Sequence, residues 1–107
     1  MILKDVDYFT WVSYDGQPYN VREIFGCHRE LRHSNGTNIQ IRFDTDVEVL
    51  DIPTFNKGES VIFTGNDQHH KDKMMKITHV NNDFKYRPYT LDNILYVTPF
   101  EIIPVNY

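Results

Sequence analysis

The clearest hydrophobic pattern in the chain runs from Asn38 to Phe43, where Ile39, Ile41 and Phe43 alternate with Asn38, Gln40 and Arg42. That period of two predicts a half-buried strand. Asn35-Gly36, just before it, supplies the residue types that reach positive φ cheaply, so a hairpin is predicted with Cys27 to His33 as its polar first arm. An earlier hairpin is predicted where the apolar run Tyr8 to Tyr14 meets Asp15-Gly16 and a second run follows Pro18 with Val21, Ile24 and Phe25. Val47, Val49 and Leu50 continue the extended pattern until Pro53 and Lys57-Gly58 end it.

Ser60 to Thr64 is an apolar run too short for a helix, and Gly65-Asn66-Asp67 opens a polar loop over residues 66 to 72. Met74 to Val80 resumes a strand with Met75, Ile77 and His79 on one face, residues 81 to 88 are irregular, and Ile94 to Ile103 forms a last extended segment bent at Pro99. Val21, Ile24, Phe25, His28 and Leu31 also fall at helical spacings, but Gly26 interrupts them. The expectation is a mostly β chain with at most one short helix. Its strands, roughly six to eight and short, would form a small antiparallel β-barrel or sandwich in a single domain over residues 1 to 107.

Composition supports strands. Aromatic residues make up 14% of the chain and alanine, the best helix former, is absent. Eleven lysines and arginines against fifteen acidic residues leave a net charge of −4, which disfavours a general affinity for nucleic acid or anionic lipid. No apolar run approaches the ~18 residues of a membrane span, and the lone Cys27 has no internal disulfide partner. No membrane association is expected.

The charges are segregated along the chain. Asp44, Asp46, Glu48 and Asp51 form an acidic stretch, whereas Lys71, Lys73, Lys76, Lys85 and Arg87 form a basic one. Solvated faces explain this blandly; the sharper reading is that the acidic stretch of one subunit meets the basic stretch of the next, a head-to-tail contact that closes rings.

Candidate chemistry is sparse. Asp67, His69, His70 and Asp72 crowd the polar loop, but adjacent histidines in an extended chain point apart and no further ligand is marked, so the four are expected to be loop contacts, with no metal or cofactor. Cys27-His28 lacks the third, orienting group that nucleophilic catalysis needs, and Cys27 is expected to be half-buried beside a surface histidine. No phosphate-binding glycine motif is present, and no enzymatic activity is expected. The interleaved cations and rings Lys71, Lys73, Lys76, Lys85, Tyr86, Arg87 and Tyr89 give single-stranded nucleic acid some support, against which stand the net negative charge and the reading of Tyr86 and Tyr89 as packing residues.

The order of Tyr19-Asn20-Val21-Arg22-Glu23-Ile24-Phe25, Asn35-Gly36-Thr37-Asn38-Ile39, Lys57-Gly58-Glu59-Ser60-Val61 and Met74-Met75-Lys76-Ile77 resembles tailed-bacteriophage tail hub proteins at their N-terminal barrel. It is also similar to the head-completion and minor capsid proteins that join head to tail. The resemblance covers about residues 15 to 80, through generic hairpins. It implies a virion structural protein, assembled in the host cytoplasm, that forms a ring or collar in the neck, tail or baseplate. Its partners would be copies of itself and portal, connector or tail components, close to DNA. The alternative expectation is a small binding module acting on a host protein or single-stranded nucleic acid through residues 71 to 89.

Overall fold

A computed structural model describes residues 1–105, of which ten strands and one turn of 3₁₀ helix (Leu3–Asp5) are the regular elements. With 46% strand and 3% helix, the protein is mostly β and wholly antiparallel. The strands number more than the sequence predicts because several are only two or three residues long. They divide between two compact units, Met1–Ile52 and the residues from Pro53 onward.

In the first unit, β1 (Trp11–Tyr14), β2 (Gln17–Phe25), β3 (His28–His33) and β4 (Asn38–Arg42) form a meander, and β5 (Glu48–Val49) returns to pair with β1. The β1–β2 turn takes Asp15 and Gly16 to φ of 53° and 73°, as the residue types predict. The helical spacing at 20 to 31 is overridden: Gly26, at φ 58°, reverses the chain between β2 and β3. Leu3, Val6, Val12, Val21, Leu31 and Val47 make the core, with Tyr14, Tyr19, Ile39 and Ile41 packed against it.

The long strand β2 changes register against β3 between Val21 and Ile24, a bulge that bends the sheet around this core. A bulge frees backbone groups that need partners, and Arg29 supplies one. Its side chain is 2% exposed; Nε donates to the Arg22 carbonyl at 2.9 Å, and Nη1 donates to the carbonyls of Leu3 (2.8 Å) and Val6. Burial lowers the Arg29 pKa, yet a guanidinium stays protonated in proteins. The cation therefore ties the bulge to the N-terminal 3₁₀ turn.

The second unit has the same connectivity. Strands β6 (Ser60–Phe63), β7 (Met74–Val80), β8 (Tyr89–Leu91) and β9 (Leu95–Val97) form a meander, and β10 (Ile102–Pro104) returns to pair with β6. Its core comprises Phe55, Val61, Phe63, Met75, Ile77, Tyr89, Leu91, Val97 and Ile102. Three expectations are corrected. Residues 94 to 103 are two strands with different partners, separated by the bend at Pro99. A further hairpin, β8–β9, turns on Asp92 and Asn93 at φ 48° and 61°. A second bulge, between Ile77 and His79, carries His79 out to solvent rather than onto the core face.

Beside Phe63, the second core is tight around Gly65, where an added Cβ would clash with the Phe63 ring and lie 2.6 Å from Glu101 Oε2. Glu101 is 9% exposed and accepts the Thr98 amide at 2.9 Å, closing the turn before β10. Burial pushes its carboxyl above the ordinary value of 4.5.

Two outcomes are expected. Arg29→Leu strips several buried carbonyls of their donor and should lower unfolding free energy by about 3 kcal/mol in urea titrations; Arg29→Lys, with one compact ammonium, should recover less than half. A carboxyl with a raised folded pKa loses native-state stability as pH climbs from the unfolded value through the folded one. Glu101→Gln removes that loss, so thermal midpoints of variant and parent should converge near pH 4 and separate at pH 7, the variant higher.

A candidate ligand groove

Register places His79, Thr90 and Tyr96 in one row across β7, β8 and β9. Because Tyr89, Leu91 and Val97 point into the core, strand alternation turns Thr90 and Tyr96 to the outer face. The bulge holds the row in place: Thr78 Oγ1 donates to the Thr90 carbonyl at 3.2 Å and accepts the Asn93 amide at 3.0 Å. Asp92 Oδ1 accepts the Lys76 amide at 3.0 Å, pinning the β8–β9 turn against β7.

Residues 81–88 connect β7 to β8 as a loop that is closed by its own hydrogen bonds. The Asn81 amide donates to the Pro88 carbonyl at 2.8 Å, the Phe84 amide to the Asn81 carbonyl at 3.1 Å, and the Asp83 amide to Asn81 Oδ1 at 3.1 Å. Between this loop and the strand row lies a groove of about 390 Å³. It is lined by Val80, Pro88 and the buried Thr90, together with Phe84 and Tyr96, which are 56% and 61% exposed. His79, Asn81, Arg87 and Asn93 also line it, and among the described residues no carboxylate does. The Arg87 guanidinium lies 5.3 Å from the centroid of the Tyr86 ring.

Of the expected interface residues, the acidic ones belong to the first unit and the basic ones to the second. Asp44 is engaged by Arg42 at 3.2 Å and Asp46 by the N-terminal ammonium at 2.8 Å, and each cation holds its carboxyl below the usual range. Glu48 and Asp51 are exposed on and just after β5. Lys71 is within the polar loop and Lys73 just after it, Lys76 is on the outer face of β7, and Lys85 and Arg87 are in the loop 81–88; all five are exposed. Only Arg87 lines the groove. Of the rings interleaved with cations, Tyr89 is a packing residue: it is 6% exposed, stacks edge-on against Phe55, and its hydroxyl accepts the Phe55 amide at 3.1 Å.

The polar loop is organised by Asp67. Its Oδ1 accepts the His69 amide at 3.0 Å, its Oδ2 lies 3.2 Å from His70 Nδ1, and these donors depress its pKa, the backbone amide most. His69 and Asp72 are exposed, Asp72 at φ 64°. Among the described residues no group of three or more His, Cys, Asp or Glu is placed to hold a metal ion. Cys27 is exposed, not half-buried, with Sγ 3.6 Å from His28 Nδ1.

Sequence reading found the cation of the groove and missed its rings. Tyr96 sits in the continuous apolar run Ile94 to Val97 and Phe84 in an irregular stretch, so neither carries a periodic signal that marks it as facing outward. Because both rings are largely solvent-exposed, Phe84→Ala and Tyr96→Ala should each change unfolding free energy by less than about 0.5 kcal/mol, measured by thermal unfolding. Comparison with protein-family models, curated proteins and solved structures finds no match.

Proposed function

We propose that this chain is a non-enzymatic binding module whose second unit receives part of a partner in the groove beside β9. The observation that supports this reading is the groove itself: two exposed rings and several hydrogen-bonding side chains converge on one concavity, held by rigid strands. Apolar walls with a few placed polar groups are the usual make-up of a ligand site. The lining joins one imidazole and one guanidinium to amides and a hydroxyl, a set suited to recognition.

A second reading, that of a virion subunit forming a ring or collar with portal, connector or tail components, is favoured by the sheet edges. β4 and β9 each pair on one side only, and Ile94, next to β9, is 64% exposed. Unpaired edges with apolar neighbours invite strand addition from another copy.

Two experiments separate these readings. Selection of random peptides and random oligonucleotides on the immobilised protein should enrich ligands that bind at least tenfold more weakly to the Phe84→Ser/Tyr96→Ser double variant; an empty selection, or ligands indifferent to the change, overturns the binding reading. Light scattering coupled to size exclusion at high concentration should show defined oligomers if the ring reading holds, and a strict monomer overturns it.

A further inference from the structure

The two units share one connectivity, a four-strand meander whose fifth strand returns to the first, and in both the second strand carries a bulge. They differ in two connections: the first strand joins the second through residues 15–16 in one unit and 64–73 in the other, and the connection from the second strand to the third differs as well. In the first unit Gly26-Cys27 alone joins β2 to β3; in the second the loop 81–88 intervenes between β7 and β8. The groove exists at that added loop. An elaborated loop on a repeated scaffold is where binding function concentrates.

We infer that this groove binds single-stranded nucleic acid, an unpaired base stacking on Tyr96 and Phe84 while Arg87 meets an adjacent phosphate. The inference rests on the binding-module reading and names its ligand class. Exposed rings give every base a stacking platform, and guanidinium adds a cation–π and phosphate contact. The amides of Asn81 and Asn93 and the Thr90 hydroxyl offer both donors and acceptors, which a base edge requires. Among the described residues no carboxylate lines the groove, and the exposed charges next to its lining in sequence are Lys85 on one side and Asp83 and Asp92 on the other, so Arg87 is the cation on which a phosphate contact rests. At about 390 Å³ the space is near the lower bound of ligand pockets, about 300 Å³, and so suits one nucleotide unit rather than a duplex.

Charge sets how such binding should behave. The whole chain carries −4, so no long-range field gathers nucleic acid, and stacking with a few local ion pairs must supply the affinity. About two phosphate contacts, from Arg87 and the neighbouring Lys85, predict a shallow slope of log K against log salt near −1.4 for a single strand.

Fluorescence anisotropy with a labelled oligothymidylate of about 12 nucleotides tests this. Tyr96→Ala and Phe84→Ala should each weaken binding about tenfold or more, and Tyr96→Phe should leave it within about twofold. Arg87→Gln should make the salt slope shallower by about 0.7. Far-ultraviolet circular dichroism of each variant identifies any loss that comes from misfolding. Absence of binding by the folded parent protein, binding unchanged by both ring variants, or a duplex bound as tightly as the single strand overturns the inference. The same titrations with an acidic proline-rich peptide separate the two levels: peptide binding that needs Tyr96, without oligonucleotide binding, overturns the nucleic-acid inference and leaves the module reading standing. Failure of both ligands, together with an empty selection, removes both.

Discussion

A short antiparallel sheet encloses a core only if one of its strands bends, and bending leaves backbone groups that the ladder no longer satisfies. Both units of this protein meet that constraint in the second strand, each with a side chain that takes over for the missing ladder. In the first, the buried Arg29 guanidinium reaches the Arg22 carbonyl at the bulge and the N-terminal turn together. In the second, the Thr78 hydroxyl accepts from one neighbouring turn and donates to the adjacent strand. The cation stabilises its unit at the cost of desolvating a charge, which is why hydrogen bonds to several carbonyls are required there, whereas a hydroxyl needs only two partners.

The second bulge also creates the candidate site. By shifting register after Ile77 it places His79 beside Thr90 and Tyr96 on the outer face, where strict alternation from Met75 and Ile77 would have buried it. The groove is therefore a by-product of how the sheet curves, furnished with Phe84 and Arg87 by the loop that follows and with Tyr96 by β9.

Much of the local structure was legible because it is encoded by neighbours in sequence. Asp15-Gly16 and Asn35-Gly36 announce their turns through residues that tolerate positive φ, and Asn38 to Phe43 announces its strand through alternation. Tyr89-Thr90-Leu91 did not, being too brief to show a period, and so the Asp92-Asn93 turn that depends on it also went unread. The facing of His79 was illegible, and the burial of Tyr89 open, for a different reason: a bulge and a packing partner at Phe55 decide them, and both are set by distant residues. The acidic stretch shows the same limit, since Asp46 is neutralised by the chain's own first residue.

The shared connectivity has a consequence for how the chain reaches its native state. In each unit closure waits on a pairing between ends far apart in sequence, Val12 with Val49 and Phe63 with Ile102, which makes folding slow for a protein of this size. A chain with two first strands and two closing strands also offers two incorrect closures, β5 upon β6 and β10 upon β1. The closing strands are short, and β10 ends in Pro104, which has no amide hydrogen to donate. A mispaired closing strand of that kind gains few hydrogen bonds, so errors release quickly, and fidelity of assembly comes from the brevity of the very strands that complete each sheet.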